Sequence, residues 1–314
     1  MGSLTNFPNG IYAPNIWQPL AYTVPTGAVF WVSNSTIVAP EGIAGSNGND
    51  GQSPATPFAT IDYAVGKCVA GRGDIIYVMP GHVETVSSAG LLSLDVAGIK
   101  VIGLGSGESR PKINFTTVVG ADMNVDAANI TVANILFTGG IDALTGPIDV
   151  NAADFKLIDC EWRDVTGQAT DVIVTDATCT RLLIDGLIYD GATAAGTNSG
   201  IVLNGSRGAI IRNVIADGNF AVGFIDVRTV AATDIHVYNV RFRTRNSADI
   251  FLIDTITGST GTIGPNLYLR LQDNAANITE AITGATFVQH QDISVVNFAG
   301  EIGMPINTTA STDA

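Results

Sequence analysis

The sequence predicts an all-β chain wound as a single-stranded right-handed parallel β-helix of about nine coils, with a short N-terminal capping helix. Three observations carry this expectation. A short motif recurs at nearly constant spacing. Within it, apolar residues alternate around a polar marker. The composition is 46% hydrophobic but only 14% charged, with 35 glycines, which suits many strands joined by tight corners.

The clearest copies are Ile130-Thr-Val-Ala-Asn134-Ile-Leu-Phe137, Phe155-Lys-Leu-Ile-Asp159-Cys-Glu-Trp162 and Ile235-His-Val-Tyr-Asn239-Val-Arg-Phe242. Weaker ones surround Gly186, Asn213 and Asn297. The marker thus falls at 134, 159, 186, 213, 239 and 297, in steps of 25, 27, 27, 26 and then 58, the last spanning a further coil through Asn266–Leu271. Ile75–Val78 and Ile99–Ile102 supply earlier coils. Side chains of a strand alternate faces, so positions −4, −2, +1 and +3 all point inward if the chain bends at the marker. Asn, Asp and Gly tolerate a left-handed bend, and stacked Asn side chains can bond from coil to coil. Propeller blades repeat at longer intervals and sandwiches lack a fixed period, so neither matches.

The ends differ. Residues 1–45 hold Pro8, Pro14, Pro19, Pro25 and Pro40 and no coil pattern, and are expected to form an extended arm. The β-helix is expected over 46–303, with a helix near 57–70 covering the first coil, because Phe58, Ile61, Val65 and Val69 recur at helical spacing. Residues 304–314 are small and polar, and a loose tail is expected.

The net charge of −14 and pI near 4.4 disfavour nucleic-acid binding, and no apolar run is long enough for membrane insertion. Cys68, Cys160 and Cys179 form no paired framework and read as reduced thiols of a chain folded in a cytoplasm. No pattern for a metal or organic cofactor is present, so none is expected.

The run Asn47-Gly-Asn-Asp-Gly-Gln-Ser-Pro-Ala-Thr-Pro-Phe-Ala-Thr-Ile61, followed by Gly73-Asp-Ile-Ile-Tyr-Val-Met-Pro-Gly-His-Val-Glu84, resembles the entry segment of pectate-lyase-like right-handed β-helix proteins. The opening Thr5–Ile11, the Pro80–Glu84 turn and Gly103–Pro111 are similar to β-helix proteins of bacteriophage virions. That second resemblance implies a homotrimer decorating or cementing a capsid, folded in the bacterial host. Phe7, Pro8, Asn9, Gly10 and Ile11 would then attach to the major capsid protein.

Candidate chemistry starts from carboxylates, which glycan-cleaving enzymes use in pairs. By register Asp190 and Asp217 stack, with Arg243 one coil on, and form the catalytic candidate if the protein is an enzyme. Asp185, Arg212, Tyr238 and Arg270 form a second expected column, and Glu161 and Asp164 are nearby alternatives. The plainer reading of all these is salt-linked surface ladders. Arg241, Arg243 and Arg245 share one strand face, as a lyase base or a solvated stripe. His82 and Glu84 read as a turn lock rather than a metal site, since His236 and His290 lie coils away. Asn47–Gly51 and Gly103-x-Gly-x-Gly read as turns, and Arg72-Gly-Asp74 as a chance tripeptide. Leu136, Ile188 and Ile215, with Leu183 and Ile210, form outward apolar columns that suggest a subunit contact or a covering loop.

Two function classes follow. One is a structural virion protein, trimeric and capsid-bound. The other is a tailspike-like depolymerase, a glycosidase or lyase acting on host surface glycan, with a non-catalytic glycan-binding adhesin of the same build beside it.

Overall fold

The computed structural model describes residues 27–34, 44–192, 197–244, 250–271, 282–283, 287–289, 292–296 and 302–303. They form a parallel β-solenoid of about eight turns, where nine coils were expected. Each turn lays one strand on each of three faces. The first face runs from Val29–Val32 and Ile75–Val78 through Lys100–Gly103, Thr131–Ala133, Lys156–Ile158 and Leu183–Asp185. The second runs through Val83–Val86, Lys112–Phe115, Leu136–Gly139, Glu161–Asp164 and Ile188–Asp190. Ile210–Gly218 and Ile235–Thr244 are long enough to cross the marker and serve both faces. The third face stacks Leu92–Leu94, Met123–Val125, Thr145–Val150, Asp171–Thr175, Thr197–Leu203, Phe220–Val227 and Leu252–Asp254.

The marker residues do what their chemistry allows. Asn134, Asp159, Gly186, Asn213, Asn239 and Asn266 all have φ between +51° and +79°. This bend turns the chain from first to second face and keeps both alternations inward. Residues −4, −2, +1 and +3 around the first five of these markers are no more than 2% exposed. Left-handed backbone costs an L-residue about 1–2 kcal/mol, and hydrogen bonds between coils offset it. The Asn134 N–H donates to Ile158 O (3.0 Å), Asp159 N–H to Asp185 O (2.8 Å) and Asn239 N–H to Pro265 O (3.0 Å). The expected amide ladder is partial: Asn239 Nδ2 donates to Asn213 Oδ1, and Asn213 Nδ2 donates to Asp185 Oδ1 because Gly186 offers no side chain.

A second left-handed column lies five residues before each marker, at Asn129, Asp154, Arg181, Gly208 and Asp234. It makes the corner from third to first face, and the N–H groups of its first four residues also donate to the next coil. At the Asn266 coil the pattern slips by one residue. Val237 pairs with Ile263 but Val240 with Leu267, so Gly264-Pro265 holds an extra residue.

The ends depart from expectation. Val29–Val32, inside the segment read as an arm, pairs in parallel with Ile75–Val78 and so covers the first face. Its own outer edge is used by Gly51 and Phe58: Trp31 N–H donates to Gly51 O, and Phe58 N–H to Trp31 O. Of the helix expected over 57–70, only the five residues Ile61–Val65 are helical. They bury Ile61, Ala64 and Val65, while the edge-covering role falls to the strand and the 45–58 segment. At the other end Ile302–Gly303 pairs antiparallel with Ile293–Val296. The proposed attachment residues Phe7–Ile11, Arg245, His290, Asn297 and the tail 304–314 lie outside the described residues. No helix is long and apolar enough to cross a membrane among the described residues.

Candidate active site on the third face

The sequence candidates on the second face stack as register requires. Asp190 pairs with Asp217, and Asp217 with Arg243. Arg270 belongs to this column too, opposite Arg243 and four residues past the left-handed Asn266, and not to the Asp185–Arg212–Tyr238 column. Three of the candidate carboxylates are neutralised. Asp217 pairs with Arg243, Asp185 with Arg212 at 2.7 Å, and Glu161 with Arg110 and Arg163. Arg212 Nη1 also donates to Tyr238 Oη (3.0 Å). Asp164 accepts from Ala192 N, Ala169 N and Trp162 Nε1, so it pins a corner.

The apolar columns divide. Ile188 and Ile215 are 42% and 50% exposed, and Leu183 and Ile210 are half-buried. Leu136 is fully buried, against expectation. Arg110 and Glu108, on the Gly103–Pro111 loop, bond to Glu161 and Arg163 two coils on, and this strap closes over Leu136 between them. Glu161 then interrupts the column before Ile188.

His82 is a structural lock. Its ring is fully buried, Nδ1 accepts from Asn34 N–H (3.0 Å), and Nε2 bonds Glu84 Oε2 (2.7 Å), which also accepts from Ile61 N–H. His236 lies between Thr262 Oγ1 (2.7 Å) and Asp234 Oδ1 (3.1 Å), the order of a nucleophile, base and orienting acid. The strands on either side spend their N–H groups in the parallel ladder, which leaves no oxyanion donors among the described residues, and the arrangement reads as a surface ladder.

The third face behaves differently. Asp122, Asn124 and Asp126 alternate with the buried Met123 and Val125, and so face outward. Asn124 stacks between Ser93 and Asp149. One residue past each strand, Asp126, Asn151 and Asp176 follow the same order. Asn151 Nδ2 donates to Asp149 Oδ2 (3.0 Å) and Asp126 Oδ1 (3.4 Å). Asp122 Oδ1 accepts from Gly90 N–H, and Asp176 Oδ1 from Thr178 and Cys179 N–H. Among the described residues none of Asp122, Asp126, Asp149 and Asp176 has an ion-pair partner. Burial pushes the Asp149 carboxyl up, and Asp122, Asp126 and Asp176 push it further against the pull of Asn151. Asp122 is also raised, by burial and then by Asp126. Among the described residues these groups do not converge on a metal-ligating set.

Chemically, this arrangement offers a carboxyl held above its ordinary range beside other carboxyl groups one coil away. Asp122 and Asp126 each stand one rung and two residues from Asp149, about 8 Å between Cα atoms from strand geometry. The sequence candidates omitted this cluster. Its signal was Asp122-x-Asn124-x-Asp126 followed one coil later by Asp149-x-Asn151, acids and amides on every second residue.

No protein family description matches the chain, and no curated protein matches it in sequence. Among solved structures it is similar to the GH136 lacto-N-biosidase from Eubacterium ramulus, with TM-score 0.54 and 13% identity over 94% of this chain and 70% of that one. A rhamnogalacturonan lyase (TM-score 0.47, 14% identity, 92% and 88% coverage) and an alginate lyase from Paenibacillus sp. (0.35, 13%, 71% and 90%) are more distant. The chain is an all-β parallel β-helix, a fold similar to that of the lacto-N-biosidase.

Proposed function

We propose that the protein is a glycan-cleaving β-helix, a hydrolase that lays an uncharged oligosaccharide along the acid and amide strip of the third face. The observation that carries this reading is the cluster of four acids on the N-terminal part of that face. Asp122, Asp126, Asp149 and Asp176 line up there with no arginine partner among the described residues, whereas Asp185, Glu161 and Asp217 on the other faces, and Asp171 and Asp226 elsewhere on this face, are bonded to arginines. Asp149, with its raised carboxyl, donates the proton to the leaving oxygen, and Asp126 or Asp122 activates water on the opposite side of the ring. Asn124 and Asn151 supply hydrogen bonds to sugar hydroxyls. A polyuronate is repelled by this strip, so hydrolysis of a neutral glycan fits better than β-elimination. The Cα spacing favours the wider carboxylate separation of an inverting enzyme.

Purified protein is expected to release reducing ends from neutral oligosaccharides with inversion at the anomeric carbon, followed by proton NMR. Asp149→Asn is expected to lower the rate by roughly 10²–10⁴-fold, while Asp217→Asn leaves it nearly unchanged. Undiminished hydrolysis by Asp149→Asn sinks the assignment.

A second reading, a structural subunit that assembles through the second face, is favoured by the exposure of Ile188 and Ile215. It includes the capsid-decorating homotrimer that the N-terminal resemblance implies. Sedimentation is the test: a wild-type trimer that dissociates on Ile188→Asp with Ile215→Asp supports it, and a wild-type monomer ends it.

A further inference from the structure

The C-terminal coils of the second face carry a patch of arginines and a tyrosine that neither reading uses, next to the exposed Ile215. Arg241 and Arg243 alternate along Ile235–Thr244 and are both exposed. One rung on, Tyr268 lies opposite Arg241 and Arg270 opposite Arg243. Arg243 is tied to Asp217, but among the described residues Arg241 and Arg270 have no ion-pair partner. By contrast Arg72, Arg110, Arg163, Arg181, Arg212 and Arg228 are each bonded to a carboxylate.

Like charges directly opposite on a ladder repel, and strands are about 4.8 Å apart. Asp217 already offsets Arg243, which leaves Arg241 and Arg270, on the diagonal of one rung, as two uncompensated charges that an anion relieves. The net charge of −14 repels polyanions and leaves a singly charged ligand as the better fit. Arg241 and Arg270 sit diagonally across the ladder, a separation that long side chains bridge onto one carboxylate. Tyr268 is 44% exposed beside them, and Ile215, one rung before Arg241, is 50% exposed. An aromatic face and an adjoining aliphatic side chain suit the apolar side of a sugar ring.

We propose that Arg241, Arg270 and Tyr268 form a binding site for a carboxylate-bearing sugar, separate from the third-face strip. The probe is methyl glucuronide, titrated into the full chain while arginine Nε–H resonances are followed, with methyl glucoside and inorganic sulfate as controls. Methyl glucuronide is expected to bind in the millimolar range and methyl glucoside not to bind. Arg241→Gln with Arg270→Gln is expected to weaken binding about tenfold or more, and Tyr268→Ala to weaken it less. All three side chains are exposed, so the fold survives these changes. Asp149→Asn is expected to bind methyl glucuronide as the wild type does, which separates this site from the proposed hydrolytic one. Silence of the wild type, equal binding by the double variant, or an equal response to sulfate overturns the proposal.

Discussion

Asp74→Asn is expected to destabilise the N-terminal part of the solenoid by about 3–5 kcal/mol, the range for breaking a buried charge pair. The carboxylate is fully buried and accepts four N–H groups: Ala28 N (2.7 Å), Val69 N (2.8 Å), and Arg72 Nε and Nη2 (both 2.6 Å). It thus ties the strand Val29–Val32, the segment after the short helix and the first-face strand Ile75–Val78 at one point. A Cβ on Gly27 would lie 2.2 Å from Asp74 Oδ1, so the chain passes there only as glycine. Asparagine keeps the shape but turns one acceptor into a donor that faces N–H groups. Burial works to raise the carboxyl, yet the Arg72 and backbone N–H donors hold it below its ordinary value of 3.8. Its contribution is therefore in place above that pH and is lost as the pH falls through the folded-state value. Melting temperatures of wild type and variant should be well apart at neutral pH and converge only in strong acid. Because solenoid coils are stabilised by their neighbours, amide exchange should rise first in Val29–Val32. Unchanged exchange there, with an unchanged melt, would remove the tie.

The first two faces were legible because two signals coincide on them. Alternation gives the inward residues, and the left-handed marker tells where the alternation resets, so Phe137, Trp162, Tyr189 and Phe242 fall inward together. The stacking of Asp190, Asp217 and Arg243 followed from the same count. Arg270 was misplaced because its coil lies inside the 58-residue gap between the markers at 239 and 297 and was not counted from Asn266, four residues before it. Leu136 was misplaced because its cover comes from the loop one coil before it, held by ion pairs to the coil after it that spacing alone does not reveal. The third face was not legible. Its strands vary from three residues at Met123–Val125 to eight at Phe220–Val227, and irregular pairings interrupt them. No polar marker recurs there, so Asp149 escaped notice although its alternating neighbours were in plain view. Salt-linked acids were easier to find because their partners lie one repeat away in sequence, whereas acids without partners leave no such echo.

The largest core effect also lies on that third face, where Phe224→Ala is expected to cost about 3–5 kcal/mol. The Phe224 ring is fully buried and meets Tyr189, Phe220, Phe242 and Phe251 with centroids 5.5, 5.4, 5.9 and 6.1 Å away. These rings come from three successive coils, so the hollow left by alanine spans several layers and cannot close by a local shift. Gly200, on the preceding coil, is small for the same reason: a Cβ there would stand 2.6 Å from Phe224 Cδ2 and Cε2. Gly200→Ala alone forces the ring aside and should cost about 1–3 kcal/mol. Combined with Phe224→Ala, the new methyl enters the hollow, and the double variant should lose less than the two single losses together. The expected coupling is on the order of 1 kcal/mol, measured by denaturant unfolding of all four proteins. Additive losses would mean that Gly200 and Phe224 do not meet. The register that stacks Asn124 beneath Asp149 belongs to the same ladder of strands, so the geometry of the acid strip would then need redrawing.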